Sequence, residues 1–295
     1  MAAYLQIENI SKSYGPKVLF EHISFHINEG DKIALIAPNG TGKTSLLRIL
    51  SGQDKSDSGG KILFLKDIRI AFLEQEYRYD PDKGVLRQIM DDSTGWTSGL
   101  DSEHFYAYEQ RARQLITAFG LLPERTMAEL SGGEVKRVAL VQMLASEADF
   151  FIMDEPTNHL DIDAIELLEG QLRRSRCTLL MVTHDRYFLD NVCNTVMELD
   201  RGAVYTYRGD YRNYLEKRQE RIDLYNAETD KVRNLLRREL EWMHATPQAR
   251  SGKAKYRKNA FYELKARCSA IPISSRRRAL SFSSGLSATT VCWTA

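Results

Sequence analysis

Cysteine is scarce and scattered in this chain. The four, Cys177, Cys193, Cys268 and Cys292, form no C-x-x-C pair and no Cys/His ligand spacing, which argues against a disulfide framework and a zinc site. No stretch approaches the roughly 18 to 20 consecutive apolar residues that cross a bilayer. The opening, MAAYLQIENISKSY, lacks the basic and apolar segments of a secretory signal. A cytoplasmic protein without membrane insertion is therefore expected. An excess of charge is missing too: 41 Lys and Arg against 40 Asp and Glu leave a net +1, so no partner class can be assigned until the charges are placed along the chain. What is present is 43% hydrophobic residues in 295 positions. That suits a soluble core in one large α/β domain with an extension, or two small domains.

Strand-like runs come first, at 4–10, 23–27 and 32–36, then KILFL and IRIAFLEQ. Residues 82–128 carry helix-spaced apolar positions and many polar ones. From 148 the strand and helix patterns alternate: DFFIMDEP, DAIELLEGQLRRS, CTLLMVTHD and RYFLDNVCN, with TVMEL and AVYTY closing near 207. Such alternation predicts an α/β fold with a mainly parallel core sheet and antiparallel strands near the start. Residues 211–265 are helical throughout. Val232, Leu236, Leu240 and Met243 form a seam, TPQARSG (246–252) is a break and KAKYRKNAFYELK a returning helix. This αα-hairpin is basic: between Lys231 and Lys265 stand ten Lys and Arg against Glu239, Glu241 and Glu263. Arg250, Lys253, Lys255, Arg257, Lys258 and Lys265 crowd the break and the returning helix. Residues 266–295 hold no acidic residue and many serines, a composition expected to be disordered.

The chemistry begins at ALIAPNGTGKTSLL (34–47). A glycine-rich loop between a buried strand and a helix aims several backbone N–H groups, and the helix's positive end, at one anion. Gly40 and Gly42 let the backbone approach phosphates, Lys43 reaches the β- and γ-phosphates, and the Thr44 hydroxyl can ligate Mg²⁺. Ala37 stands where G-x-x-x-x-G-K-[ST] has its first glycine. Pro38 pushes that residue towards extended backbone with negative φ, which alanine tolerates. FFIMDEP (150–156) is an apolar strand ending in two carboxylates. Asp154 is placed to hold Mg²⁺ and Glu155 to orient and polarise the attacking water. ELSGGEVKRVAL (129–140) puts Ser131, Gly132 and Gly133 before a helix, either a second anion-binding terminus or an ordinary serine cap. His184, closing MVTHD, can donate to a γ-phosphate. Gln75, closing IAFLEQ, can sense Mg²⁺ or the water. Tyr14 can stack on adenine, although a lone tyrosine is more often core.

In this order these elements resemble an ATP-binding cassette (ABC) domain, a P-loop NTPase fold with an antiparallel β subdomain and a helical subdomain (about 82–145). The resemblance covers about residues 4–210. It implies an A-loop tyrosine at Tyr14 and a Walker A motif over 37–45, in which Pro38, Asn39, Gly40, Thr41, Gly42, Lys43, Thr44 and Ser45 surround the nucleotide. It also implies a Q-loop at Gln75, a signature over 130–134 (Ser131, Gly132, Gly133, Glu134), Walker B over 150–155 and a switch histidine at His184. The ligands implied are ATP and Mg²⁺, the latter through Thr44, Gln75 and Asp154. Ala37 and Glu134, where many members carry Gln, depart from the pattern. DEPTNHLD, with His159-Leu160-Asp161 as D-loop, and LDRGAVYTYRGDYRNYLEKR before a basic hairpin are similar to the ABC-F class, especially its Uup-like branch.

Members of that class have two cassettes joined by a helical linker that enters the ribosome near the peptidyl-tRNA. The expected organisation is therefore a cassette over 1–210 and a linker over 211–265. Residues 266–295 are expected to be a frameshifted or foreign tail on a protein truncated before its second cassette. The resemblance implies a nucleotide held between the Walker A of one cassette and the signature of another, so the expected partner is a second cassette or a second copy in a homodimer. Slow ATP hydrolysis is expected, with ribosomal RNA and tRNA engaged through 231–265. Two rivals remain: the ATPase subunit of a membrane transporter, and a nucleic-acid-binding module whose cassette is an ATP-gated clamp with negligible turnover.

Overall fold

Two patterns of side-chain alternation build two sheets. The computed structural model describes residues 3–91, 102–146, 148–200, 202–244 and 260–263. Strands β1 (Ala3–Tyr14), β2 (Lys17–Asn28) and β4 (Lys61–Phe64) form an antiparallel sheet in the order β2-β1-β4. Its buried face carries Leu5, Ile7, Ile10, Phe20, Ile23 and Ile27. The first two strands outrun the apolar runs at 4–10 and 23–27. Ser11, Lys12 and Ser13 look like loop residues, yet neighbouring groups fasten them. Ser11 N donates to Ser56 Oγ (3.1 Å), Lys12 Nζ to Asp54 (2.8 Å) and Ser13 N to Asp57 (2.7 Å). The pairing therefore continues to the turn at Gly15, whose φ of 55° suits glycine.

The larger sheet runs β5-β6-β7-β3-β8-β9, formed by β3 (Lys32–Ile36), β5 (Ile70–Leu73), β6 (Phe150–Asp154), β7 (Thr178–Val182), β8 (Thr195–Asp200) and β9 (Ala203–Arg208). Its strands are parallel except β9, which returns antiparallel to β8. Every residue of β6 and β7 is buried, the reason these strands read as unbroken apolar runs rather than alternating ones. On one face Phe151, Met153, Leu179 and Met181 meet the helices α2 (Val85–Met90), α3 (Ser102–Ala118), α4 (Gly132–Ala145), α5 (Ile162–Arg174) and α6 (Arg186–Val192). On the other, Phe150, Ile152, Leu180 and Val182 join the small sheet and α1 (Lys43–Leu50) in a second core. The parallel strands thus lie between two apolar layers, and the loops at their C-terminal ends carry the polar residues of interest.

After β9 comes α7 (Tyr211–His244), whose first turn is rooted in the α/β unit. Tyr211 N donates to Asp190 Oδ1 (2.7 Å), and the Arg186 guanidinium lies 5.2 Å from the Tyr211 ring centroid. The hydroxyls of Tyr207 and Tyr214 both donate to the buried Glu198 carboxylate (3.4 and 3.3 Å). The chain divides into two compact units, Met1–Lys217 and Arg218–Ala295. In the second, Val232 and Leu236 are half-buried, but Leu240 is exposed at 39%, so the expected seam is narrower than its spacing suggested. Residues 260–263 are helical and Phe261 is buried. Met243's side chain, the break at 246–252, the six crowded basic residues and the tail 266–295 lie outside the described residues.

Candidate functional site

The loop after β3 keeps its shape without a first glycine. Ala37 is 4% exposed, packed in the core beneath the small sheet, and is absent from the positive-φ residues. Gly40 and Gly42 do need their freedom, with φ of 74° and 99°. Gly42 also has no room: a Cβ there would lie 3.0 Å from Leu19 Cβ and 3.2 Å from Phe20 Cδ1. Thr41 Oγ1 donates to Pro38 O (2.7 Å), closing the loop. Lys43, first residue of α1, folds back to donate to Ala37 O (3.1 Å). It also lies 2.9 Å from His184 Nε2 and 3.5 Å from Asn39 Oδ1. Burial pushes the Lys43 pKa down, against the pull of Glu155 and Asp154. Ser45 follows in the first turn of α1, half-buried.

Opposite the loop, β6 delivers the two carboxylates. Asp154 is 2% exposed and accepts a hydrogen bond from the Thr44 side chain. Its Oδ2 is buried with no hydrogen-bond partner. Burial pushes the Asp154 carboxyl above its ordinary range, opposed by Thr44, Lys136, Lys43 and Arg48. A buried carboxylate oxygen left bare beside a threonine hydroxyl supplies hard oxygen donors of the kind Mg²⁺ takes alongside water and phosphate oxygens, so Asp154 and Thr44 could hold that ion. Glu155 comes next with φ of 47°, a left-handed backbone that costs a non-glycine residue roughly 1–3 kcal/mol and collects at functional sites. Its amide donates to Val182 O (3.0 Å). Burial raises its pKa, while His184 and Lys43 hold it down.

His184 Nε2 lies between Lys43 Nζ at 2.9 Å and Glu155 Oε1 at 3.4 Å. One nitrogen cannot accept from the lysine and donate to the carboxylate at once. The shorter contact, with Lys43 Nζ donating to Nε2, is the hydrogen bond of the pair. Lys43, Thr44, Asp154, Glu155 and His184 thus converge at the C-terminal edge of the parallel sheet. Gln75 lies two residues past β5 and is exposed. Tyr14 closes β1 and is 65% exposed, which removes it from the core.

The second glycine motif is built separately. Ser131 is the N-cap of α4 and forms a capping box with Glu134. Glu134 Oε2 accepts from Ser131 N (2.8 Å) and Oγ (2.9 Å), while Oε1 accepts from Arg125 Nη1 (2.7 Å). The Ser131 bonds and then Arg125 hold the Glu134 pKa below its ordinary value. The charge at this position therefore has its own counter-ion. Gly133 presses against the D-loop: a Cβ would meet His159 O at 2.6 Å, and His159 itself has φ of 64°. Asp161 caps α5 and accepts from Arg137 (2.6 Å), fastening the two segments together. Among the described residues no hydrogen bond or ion pair joins Ser131, Gly132, Gly133 or Glu134 to the 37–45 loop or to Asp154 and Glu155. Sequence alone does not single out Arg125 or the buried Lys136, where each is one basic residue in a polar or helical run.

A family model described as ABC transporter matches residues 20–158, and a second, described the same way, matches 197–282. The chain belongs to the ATP-binding cassette family. Its curated relatives place the cassette in the ABC-F class. It is 39% identical to the ABC transporter ATP-binding protein YfmR of Bacillus subtilis over 288 residues, 86% of this chain and 45% of that protein. It is 35% identical to the energy-dependent translational throttle protein EttA of Mycobacterium tuberculosis, covering 88% and 52%. It is 31% identical to ABC transporter F family member 5 of Arabidopsis thaliana, covering 77% and 38%. The chain thus spans about half the length, or less, of the curated relatives it matches. Among solved structures, an ATP-binding cassette dimer in a post-hydrolysis state with ADP and Pi superposes with a TM-score of 0.59 at 22% identity. It covers 69% of this chain and 98% of that one, which shows the P-loop NTPase cassette fold.

Proposed function

We propose that this cassette binds MgATP at the 37–45 loop and hydrolyses it in a site completed by another cassette. The observation that carries this reading is the bare, buried Oδ2 of Asp154 beside Thr44 and within the field of Lys43. In this reading the amides around Gly40 and Gly42 cradle the phosphates, with Pro38, Asn39, Thr41 and Ser45 shaping the loop. Tyr14 stacks on the adenine. Lys43 leaves Ala37 O and His184 to meet the β- and γ-phosphates, which frees His184 to donate to the γ-phosphate. Thr44, Asp154 and Gln75 would hold Mg²⁺, which would supply charge neutralisation at the phosphates. Glu155 takes the proton of the attacking water. Ser131, Gly132 and Gly133 present an anion-binding helix terminus, flanked by Glu134, to the nucleotide of the facing cassette.

One copy of each half-site requires either a second cassette or a second copy of this chain in an isologous dimer. For the chain alone, phosphate release per molecule is expected to rise with protein concentration; turnover that is unchanged on dilution contradicts the dimer.

We further infer a cytoplasmic role on the ribosome, resting on the similarity to EttA, whose name describes a translational throttle, and on the basic sequence of 231–265. Full-length chain is expected to co-sediment with purified ribosomes in an ATP-dependent way, and a version ending at Lys217 is not. Neutralising four to six phosphates gives a log-affinity against log-salt slope of roughly −3 to −5. Equal sedimentation of the two versions removes the linker from this role. Ribosome binding without any phosphate release supports the clamp reading instead.

A further inference from the structure

The helix that Ser131 caps carries a lysine where a lysine is expensive. In α4 nearly every inward position is apolar, and two polar residues, Lys136 and Gln142, are buried at 7% and 1% exposure. Gln142 is satisfied by the Tyr77 hydroxyl (2.6 Å) and by Ile89 O (3.4 Å). Lys136 Nζ donates to the backbone carbonyl of Glu74 at 3.4 Å. Glu74 directly follows β5 and directly precedes Gln75. Because β5 and β6 run parallel with Leu73 beside Met153, that carbonyl lies level with the end of β6, where Asp154 and Glu155 stand. Burial brings the Lys136 pKa down to about 8, and those two carboxylates are the groups that pull it back up. A methionine of similar volume would fill the slot without desolvating a charge, and such exchanges are often neutral or stabilising. The ammonium is therefore poorly explained by packing.

We propose that Lys136 is a positioning residue of the hydrolytic site, its ammonium fixing the Glu74–Gln75 peptide to the helix that begins at Ser131. This rests on the MgATPase reading given above. One ammonium then joins two segments distant in sequence, the signature helix and the Q-loop, within the electrostatic field of the carboxylates that end β6. A shift of α4 during engagement of a facing cassette would be felt at Gln75 through this contact. Misplacement of a positioning group by about 1 Å can cost on the order of 10²-fold in rate.

The test compares full-length wild type, Lys136→Met and Lys136→Arg. Hydrogen–deuterium exchange of the backbone over 74–76 is read without nucleotide, alongside Tm, MgATP affinity and kcat. For Lys136→Met the expected result is faster exchange at 74–76 and kcat lower by about 10-fold or more. Its MgATP affinity stays within about threefold and its Tm is unchanged or higher. Lys136→Arg, which keeps a cationic donor, recovers both the exchange protection and most of the turnover. Unchanged exchange in Lys136→Met overturns the proposal, even if kcat falls, and so does an equal loss in Lys136→Arg. If Lys136→Met does not fold, exchange over 74–76 in Lys136→Arg still decides: protection below wild type refutes the tether. A wild-type chain with no turnover at any concentration defeats the ATPase reading instead, while the exchange comparison, which needs no ATP, continues to judge the tether.

Discussion

Replacing Glu155 with Gln is expected to lower phosphate release by roughly 10²- to 10⁴-fold, the range one positioned general base supplies, while MgATP remains bound. The argument starts from the backbone. Glu155 sits in a left-handed conformation with its amide bonded to Val182 O, so its side chain leaves β6 in a direction that an extended residue would not take. At 8% exposure, burial favours the protonated carboxyl, while His184, in part through its backbone amide, and Lys43 favour the carboxylate. Those opposing pulls suit a group that must accept a proton from water and later release it. Glutamine keeps the shape and the hydrogen-bonding reach but cannot accept that proton. Nucleotide should therefore be trapped, and size-exclusion chromatography with ATP should show a larger share of dimer for Glu155→Gln than for wild type. A rate within about threefold of wild type would remove Glu155 from its role.

The second large effect is on binding. Lys43→Ala is expected to weaken MgATP affinity by roughly 10- to 100-fold in calorimetric titration, from the 1.5–3 kcal/mol typical of hydrogen bonds to charged groups. Without nucleotide the lysine is held by Ala37 O and His184 Nε2, and both contacts are local to the loop. The fold should hardly notice their loss, so Tm is expected to fall by no more than a few degrees. An unaltered affinity would mean that the phosphates lie elsewhere. A collapse of Tm would mean that the lysine mainly supports the loop. His184 adds an internal control. With its lysine partner gone, Nε2 is left with Glu155 at 3.4 Å, so the imidazole NMR resonances should move in the variant even without ATP.

Much of this was legible in the sequence, for a physical reason. A loop that must bring backbone amides to phosphate needs small residues at set places, and a strand buried on both faces must be apolar along its whole length. Residues 37–45 and 150–155 could hardly read otherwise. The strands at 32–36 and 178–182 were legible on the same ground. The features that escaped have one thing in common: they depend on partners remote in the chain. The extension of β1 over Ser11–Ser13 is secured by Asp54, Ser56 and Asp57, and polar residues give no local sign of that. The close approach of Gly133 to His159 O, the pairing of Arg125 with Glu134 and the burial of Lys136 are likewise invisible until the helical segment folds back on the sheet. In α7, spacing correctly marked Val232 and Leu236 as inward-leaning, but could not show that Leu240 stays exposed.

Ala37 bears on how such proteins are found. Its methyl group sits among Leu35, Leu46 and other apolar side chains of the core, so this corner is anchored by packing rather than by a flexible residue. A search pattern that insists on glycine there treats one solution of the loop as the only one, and would discard a chain whose loop keeps both left-handed turns. The more discriminating criteria are the two left-handed positions at 40 and 42, where geometry permits little substitution.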